Sequence, residues 1–404
     1  TQAFTFWSIG DWGGADIASK SNNNAKDNVD AIAAAMKKLA PSDDPQFLIN
    51  TGDSFYFCGI WNTSDDQVAA DWVNPFLKGT GLTSLRWYSA LGNHEYGYND
   101  SAVVALGTVH PTWYMPQRYY SERIALSASV HLTLVVIDTT PLVSDYRADD
   151  QSQWDPCGGS YPTCSGGPVE GPDCNFHQNV LLQSVSQQEA WLTSTLEAAD
   201  PDDWLIVVGH HKAYSVTELD LASLFEKYNV NMYLNGHTHL MDTYTVNGKG
   251  TYITTGAGSL CPLADSTEVE AGTAVPLFHE HEVVLPDHPN AQAESTFSKT
   301  VAGFTSHAFN ADFTSLTTTF YDNDLTNLYS FAITRNGPGP SPTPTPTGSC
   351  CHYSDDSCTA GQVCCRSDCT DPSTCSYTQS GCSSTYGEKH NCQWEAADSL
   401  CIVA

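Results

Sequence analysis

Positive charge is scarce in this chain. Its 404 residues carry 16 lysines and arginines against 46 aspartates and glutamates, a formal charge of -30 at pH 7. Nucleic acids and anionic membrane surfaces would repel such a protein, so we expect neither as a partner. Because the pI is near 4.4, the repulsion between negative charges within the protein weakens as the pH falls towards that value. This agrees with a protein that functions at low pH. Solubility alone explains the charge equally well.

Long apolar stretches are also absent. No run of 18 apolar residues occurs, so the sequence contains no candidate for a membrane-spanning helix. The hydrophobic content of 41% is nevertheless enough for a substantial core. Because a chain of this length exceeds one ordinary domain, we expect an enzyme-sized unit together with something smaller.

Cysteine, by contrast, is abundant and unevenly distributed. Five cysteines precede residue 262 and ten follow residue 349, which favours an oxidising compartment. Glycosylation sequons at Asn62 and Asn99 agree with this inference. We therefore expect a mature secreted glycoprotein, or one that resides in an acidic vacuolar or lysosomal compartment.

The clearest chemical signal lies at residues 52–56, which follow the apolar run 47–49. The run predicts a buried strand, and Asp53 follows its carboxyl end, where open α/β sheets place their chemistry. Tyr56 adds a phenol three residues later. Carboxylate and phenolate are hard oxygen donors that suit ferric iron better than a lone zinc ion. Taken alone, Asp53 would more often be a turn residue or a helix cap.

A second carboxylate follows the first predicted strand. Residues 4–9 are rich in aromatic and β-branched residues, and Asp11 comes shortly after them. Helical spacing over residues 29–39, which Pro41 should end, places a helix before the next strand. This β-α-β unit predicts parallel neighbouring strands, so Asp11 and Asp53 should lie together at one edge of the sheet.

Polar side chains follow three further predicted strands in the same way. The strands and the side chains after them are residues 85–91 with Asn93 and His94, residues 204–208 with His210 and His211, and residues 230–234 with His237 and His239. A lone buried histidine is more often a core residue with its hydrogen bonds made inside the protein than a metal ligand. Such side chains at five successive strand ends reverse that expectation, because metal sites are built by this kind of convergence.

Five motifs, in this order, resemble those of the purple acid phosphatases within the calcineurin-like metallophosphoesterases. They occupy residues 11–13, 52–56, 92–95, 207–210 and 236–239. The short chain is most similar to the small, mammalian-type branch of that family. Gly13 stands where other members of the superfamily generally have a histidine, and Tyr56 is present instead. The resemblance covers residues 1 to about 335.

The resemblance implies both a fold and a metal centre. The fold would be a four-layer α/β/β/α sandwich with two mixed sheets. Asp11, Tyr56 and His239 would bind a ferric ion, while Asn93, His210 and His237 would bind a divalent iron, zinc or manganese ion; Asp53 would bridge the two. The ligand chemistry agrees with this division, because negative oxygen donors suit the trivalent ion and neutral donors suit the divalent one.

Such a centre would make the protein an acid phosphatase that hydrolyses phosphomonoesters. Two adjacent metals can clamp a phosphoryl group and hold an attacking hydroxide, which ferric iron does even at low pH. His94 is the candidate to bind phosphoryl oxygens or protonate the leaving alcohol; alternatively, it only orients a ligand. Family members often carry a further histidine where Leu219 stands here, and His211 is the candidate to compensate.

Two other functions stay open at this point. A phosphodiesterase or nucleotide pyrophosphatase of the same superfamily would use the same metals on a different phosphoester. An inactive binding protein would keep the fold for recognition alone. All seven ligand types are intact, which disfavours this last alternative.

Residues 141–180 interrupt the regular pattern. They have almost no periodic apolar residues, which is typical of a functional loop or lid. Three cysteines lie within them: Cys157, Cys164 and Cys174. Disulfides would have to hold this insertion, and a bridge from Cys58 would tether it near Tyr56. With Cys261 included, one of these five thiols is left over.

The carboxyl-terminal part of the sequence predicts a separate module. After a catalytic domain of residues 1–335, the proline- and threonine-rich residues 336–349 predict an extended linker. Ten cysteines then predict a small disulfide-rich domain over residues 350–404. Four aromatic residues form either its core or a flat platform for sugars, namely Tyr353, Tyr377, Tyr386 and Trp394. The linker favours a carbohydrate-binding module for polysaccharide or cell wall.

Overall fold

Two seven-stranded mixed sheets form the frame of the molecule in this computed structural model. The structure describes residues 4–14, 25–78, 80, 82–148, 154–157, 174–259 and 293–335, and the backbone of residues 392–395 and 400–403. The chain divides into two compact units, residues 1–340 and 341–404.

Most of the described chain belongs to strands and helices. The strands are β1 (Phe4–Ile9), β2 (Pro45–Asn50), β3 (Arg86–Ser89), β4 (Trp113–Tyr114), β5 (Tyr120–Ala125), β6 (His131–Val136), β7 (Trp204–Val208), β8 (Met232–Asn235), β9 (Met241–Val246), β10 (Lys249–Thr255), β11 (Ala293–Lys299), β12 (Gly303–Phe309), β13 (Ser315–Asp322), β14 (Asn327–Thr334), β15 (Cys392–Glu395) and β16 (Leu400–Val403). The α-helices are α1 (Ala25–Asp43), α2 (Asp100–Ala105), α3 (Ser144–Arg147), α4 (Phe176–Leu181), α5 (Val185–Ala198) and α6 (Leu221–Lys227). A π-helix spans Val68–Lys78, and short 3-10 helices span His94–Tyr96, Leu106–Thr108, Thr140–Leu142 and Ala213–Ser215. Among these helices, none has the length and apolar character needed to cross a membrane.

The first sheet has the strand order β14-β13-β12-β1-β2-β3-β4. Strands β1 to β4 run parallel. On the other side of β1, the sheet continues through β12, β13 and β14, each antiparallel to the strand before it. Ile9 lies opposite Asn50, and Asn50 lies opposite Ser89. Because the three strands end at the same level, the loops that follow them emerge side by side.

The second sheet has the order β11-β9-β10-β8-β7-β6-β5. Strands β6, β7, β8 and β10 run parallel. β5 pairs antiparallel with β6, β9 pairs antiparallel with β10, and β11 pairs antiparallel with β9. Val208 lies opposite both Val136 and Leu234, so these strands also end together. Each sheet therefore presents one edge of polar loops.

The core lies between the sheets and between each sheet and its helices. Strand β7 is buried along its whole length, as expected for a parallel strand covered on both faces. Its Trp204 and Ile206 join the core between the sheets, whereas Leu205 and Val207 pack with Leu192 of α5. This alternation, together with α1 on the first sheet, confirms the predicted arrangement of two mixed sheets with helices.

One local prediction differs from the structure, and one helix lies where the sequence analysis made no prediction. Helix α1 passes Pro41 and ends at Asp43, so the prediction that Pro41 ends the helix is wrong by two residues. The break comes at Asp44, whose φ of 47° lies in the left-handed region. The π-helix Val68–Lys78 occupies a stretch where the sequence predicted no element. Its buried Trp72 packs against other aromatic rings, which a local pattern does not reveal.

The insertion contains a disulfide, as predicted, between Cys157 and Cys174. Cys58 is disulfide-bonded as well, and its bridge to the insertion stays a prediction. Cys164 and Cys261 lie outside the described residues.

In the carboxyl-terminal unit, β15 and β16 pair as antiparallel strands. Trp394 lies on β15, and the three tyrosines proposed for a sugar platform lie outside the described residues. The linker and carbohydrate-binding assignments therefore stay predictions.

Strand β12 carries a histidine deep in the core. His307 is fully buried, with its Nε2 atom 2.9 Å from the Ser8 hydroxyl and its Nδ1 atom 2.9 Å from the Thr318 hydroxyl. Its ring stacks on Phe6 at 4.6 Å. Burial lowers the pKa of His307 from 6.5 to about 3, so the imidazole is neutral in the folded protein.

Replacing this histidine, as in His307→Gln, should flatten the pH dependence of stability. As pH falls from 6.5 towards 3, only the unfolded chain takes up a proton at this position, so the wild type loses free energy of unfolding. The expected slope is about 1.4 kcal/mol per pH unit. Urea unfolding at neutral pH and near pH 4.5, followed by tryptophan fluorescence, measures the slope. Parallel slopes in both proteins would contradict the buried neutral state.

Candidate metal centre

The polar loops of both sheets meet at one edge of the molecule. The first sheet supplies Asp11, Asp53, Tyr56, Asn93 and His94, and the second supplies His210, His211, His237 and His239. Hydrogen bonds connect the two sets of loops. The Gly10 amide donates to the Thr255 carbonyl at 3.0 Å, and the Ser259 hydroxyl donates to the Asp11 carbonyl at 2.8 Å.

Asp11, Tyr56 and His239 form one group of ligand atoms. The Tyr56 hydroxyl lies 2.9 Å from Nε2 of His239, and that nitrogen lies 3.5 Å from Oδ1 of Asp11. All three side chains are buried. The structure thus brings together residues separated by more than 180 positions in the chain.

Asn93, His210 and His237 form a second group. Oδ1 of Asn93 lies 2.9 Å from Nε2 of His210 and 3.0 Å from Nδ1 of His237, and these two nitrogens are 3.2 Å apart. Nδ1 of His210 donates to the Thr51 carbonyl at 2.8 Å, which directs the Nε2 lone pair towards Asn93. Lone-pair atoms so close together suit a shared cation, so these residues fit a metal ion.

Asp53 lies between the two groups. Its Oδ2 atom is 3.2 Å from Nε2 of His210, and ligand atoms of Asp11, Asp53 and His210 all lie within 4.8 Å of one another. Oδ2 is buried and has no hydrogen-bond partner apart from this close contact with His210, while Oδ1 accepts the His94 amide at 3.1 Å. A buried carboxylate oxygen that faces imidazole nitrogens rather than amide or hydroxyl donors also fits a bound cation.

The electrostatics of this centre favour positive charge. Burial by itself disfavours a protonated His210, but the Asp53 carboxylate outweighs that effect and raises the pKa of His210 to about 10. Burial likewise works against an ionised Asp53, yet His210 and His94 hold the pKa of that carboxyl well below its usual range. The site is therefore built to place a cation next to Asp53.

Unusual backbone geometry supports these positions. Four of the candidate ligands have positive φ angles: Asp11 (59°), Asp53 (52°), His237 (76°) and His239 (54°). Each such residue costs about 1–3 kcal/mol, and such strain clusters at functional sites. A Cβ atom on Gly92 would lie 2.1 Å from Oδ1 of Asp53, so only glycine lets the two loops approach this closely.

Glu95 holds the loops in place, a role that the sequence analysis missed. Its carboxylate accepts four backbone amides, from Asp53 (3.0 Å), Ser54 (2.6 Å), Phe55 (3.2 Å) and Gly92 (2.7 Å). One side chain thus fixes the loops after β2 and β3 relative to each other. Its place inside the motif of residues 92–95 was the signal that could have revealed it.

Thr139, just after β6, plays a similar part for the second sheet. Its hydroxyl oxygen accepts the backbone amides of His210 (3.1 Å) and His211 (3.0 Å). The hydroxyl proton is then directed at Nδ1 of His211, 2.8 Å away. Nε2 of His211 lies 3.3 Å from the Tyr146 hydroxyl. Both ring nitrogens of His211 therefore have partners, and its ring packs 4.2 Å from that of His237.

A buried pair also connects the two halves of the centre. The Tyr96 hydroxyl, in the 3-10 helix that follows Asn93, donates to Asp138, two residues after β6. Arg118 donates to the same hydroxyl at 3.3 Å. Burial raises the pKa of Asp138 to about 6. Like the other site residues, Asp138 follows a buried strand, and inspection of the residues after the apolar run of β6 would have found it.

The sequence profile of one family covers this whole centre. The calcineurin-like phosphoesterase profile matches residues 4–241, more than half of the chain. The chain belongs to the calcineurin-like phosphoesterases. All the residues assigned to the metal centre lie within the matched segment of this phosphoesterase.

Relatives within this family are named as acid phosphatases. The mouse (Mus musculus) tartrate-resistant acid phosphatase type 5 is 28% identical over 269 residues, which are 64% of this chain and 73% of that protein. Purple acid phosphatase 17 of Arabidopsis thaliana is 27% identical over 264 residues, which are 63% of this chain and 68% of that protein.

A solved structure shares the fold of this phosphoesterase. GAP50, described as the anchor in the inner membrane complex of Plasmodium, superposes with a TM-score of 0.55. The match covers 82% of this chain and 89% of that one at 18% sequence identity. At this identity, the match supports the fold and nothing about function.

The substitution Glu95→Gln should weaken metal binding by about 10- to 100-fold. The new amide would point a donor at backbone amides that already donate, so the loops carrying Asp53 and Asn93 would shift. Competition with a chelator, followed by metal analysis, measures the affinity without relying on activity. Glu189→Gln, on the exposed face of α5, is the matched control and should bind metal like the wild type. Unchanged competition in Glu95→Gln would contradict the positioning role.

Proposed function

We propose that this phosphoesterase is an acid phosphatase that hydrolyses phosphate monoesters at a binuclear centre of ferric iron and a divalent metal. The observation that carries the proposal is the pair of ligand groups on either side of Asp53, each made of residues from both sheets. The names of the relatives support the choice of phosphatase, and the phosphoesterase profile supports the reaction class.

The two groups differ in a way that suits two different metals. Asp11, Tyr56 and His239 offer two oxygens that become negative, so we assign the ferric ion to them. Asn93, His210 and His237 offer neutral donors, so we assign iron(II), zinc or manganese to these. Asp53 would contact both ions. When bound, two such metals supply Lewis acidity towards phosphoryl oxygen and make a water molecule acidic.

His94 is the group that we assign to the leaving alcohol. Its Nδ1 donates to the Phe57 carbonyl at 2.7 Å, so Nε2 is the nitrogen that faces the site, 3.9 Å from Oδ2 of Asp53. From there it can hold a proton against a phosphoryl oxygen or pass it to the departing oxygen. Burial lowers the pKa of His94, an effect that Asp53 partly offsets.

His211 has a different role in this proposal. Because Thr139 and Tyr146 occupy its two nitrogens, it supports the ring of His237 rather than contacting substrate. Leu219 has an aliphatic side chain and therefore has no proton to supply. We therefore propose His94 alone as the proton donor to the leaving alcohol.

Purified full-length protein should hydrolyse a phosphate monoester at acid pH at least about tenfold faster, by kcat/KM, than the matching diester. Colorimetric detection of the phosphate or alcohol that each substrate releases gives the two kcat/KM values and their ratio. His210→Ala, prepared in parallel, should lose the activity and so excludes a contaminating phosphatase. Preference for the diester would make the protein a phosphodiesterase, and no hydrolysis of either after adding metal would favour a binding protein.

The substitution Tyr56→Phe should abolish a purple colour that we expect for the wild type. The colour would come from charge transfer between tyrosinate and ferric iron, and about two metals per chain, including iron, should accompany it. A visible spectrum with metal analysis checks both. Tyr146→Phe removes a nearby hydroxyl that is outside the ligand groups and should keep the colour. A colourless but metal-loaded wild type would refute the assignment of iron.

A further inference from the structure

Lys212 and Asp242 form a buried ion pair. Nζ of Lys212 lies 2.9 Å from Oδ2 of Asp242, and the two side chains are only 7% and 2% exposed. The second carboxylate oxygen, Oδ1, accepts the Ser295 hydroxyl of β11. The ring centroids of Tyr214 and Tyr244 lie 5.7 and 5.3 Å from Nζ. Because water hardly reaches the two charges, they attract each other more strongly than a surface pair would.

The two partners belong to segments that carry different metal ligands. Lys212 comes two residues after His210, in the loop that follows β7. Asp242 comes three residues after His239, near the start of β9. The ion pair therefore joins the segment with His210 to the segment with His237 and His239.

Asp242 is on the better-supported side of this connection. Strand β9 is paired on both sides, and Asp242 lies opposite Thr254 of β10 and Ser298 of β11. Lys212, by contrast, lies in a loop between β7 and a short 3-10 helix. The pair thus attaches a loop to a strand that two neighbouring strands hold in place.

Tyr244, two residues after Asp242, connects the same segments. Its hydroxyl oxygen accepts the Ala213 amide at 3.1 Å, and its proton goes to Oδ1 of Asn235, also at 3.1 Å. The next residue, Gly236, donates its amide to the His210 carbonyl at 2.8 Å. The 3.2 Å distance between the facing nitrogens of His210 and His237 depends on how these segments are held together.

We propose that the Lys212–Asp242 ion pair positions His210 and thereby sets the affinity of the centre for its divalent metal. This inference rests on the proposed function, which includes that metal. Neither residue is a ligand, and both act through the backbone of the segments that they join. The ferric group receives no ligand from the loop after β7, so the pair should affect the divalent ion more than the ferric one.

The test measures zinc binding to full-length, iron-loaded protein by competition with a chelator. Lys212→Met and Asp242→Asn should each weaken zinc binding by about tenfold. The iron content and the expected tyrosinate-to-iron colour should stay as in the wild type. The double variant should lose no more than either single one, because the two side chains act as a unit. Lys249→Met is the matched control: it breaks the exposed ion pair of β10 with Glu226 and should bind zinc like the wild type.

The comparison of zinc with iron separates positioning from a general loss of structure. Folded single variants that bind zinc as tightly as the wild type would overturn the inference. Parallel losses of zinc and iron would overturn it as well, because they would indicate a loosened fold. If a single variant does not fold, as judged by circular dichroism, the double variant replaces it, since it leaves no buried charge without a partner. Wild-type protein that takes up no divalent metal would instead refute the proposed function, and this inference with it.

Discussion

Close approach of electron-rich atoms at the edge of two sheets is the constraint on which the rest of this structure depends. Oxygen and nitrogen donors from both sheets come within about 3 Å of one another around Asp53, and positive charge stabilises such a cluster. Asp53 has to enter this cluster from a left-handed backbone conformation, and Gly92 has to lack a side chain for it to do so. The fold thus accepts local strain in order to bring the ligands together.

Neighbouring groups make that strain tolerable. Glu95 accepts hydrogen bonds from four backbone amides in two loops of the first sheet, and Thr139 accepts hydrogen bonds from two backbone amides of the second sheet. The Tyr96–Asp138 hydrogen bond then connects the halves. None of these side chains belongs to the proposed ligand groups. They determine the distances between the ligands, which is why substitutions here should alter metal affinity before they alter the fold.

The insertion lies beside the metal centre. The phosphoesterase profile covers the five motifs, and the segment with Trp154 and the Cys157–Cys174 bridge lies in a stretch without regular pattern. The Trp154 ring packs 5.0 Å from His94, the histidine that we assign to the leaving alcohol. Residues outside the five motifs therefore also shape the surroundings of the proposed proton donor.

The sequence by itself determined the five strands that precede the candidate ligands, and the ligands after them, because apolar runs of strand length followed by polar loops are local patterns. Asp11, Asp53, Asn93, His210 and His237 could be found in this way. Only the tertiary structure decided what lies around them. Glu95 meets the Asp53 loop across 42 positions, and Trp72 of the unpredicted π-helix packs on Trp113. Tyr96 meets Asp138, likewise across 42 positions. Such contacts depend on how the sheets pack, and no local periodicity encodes the packing of distant segments.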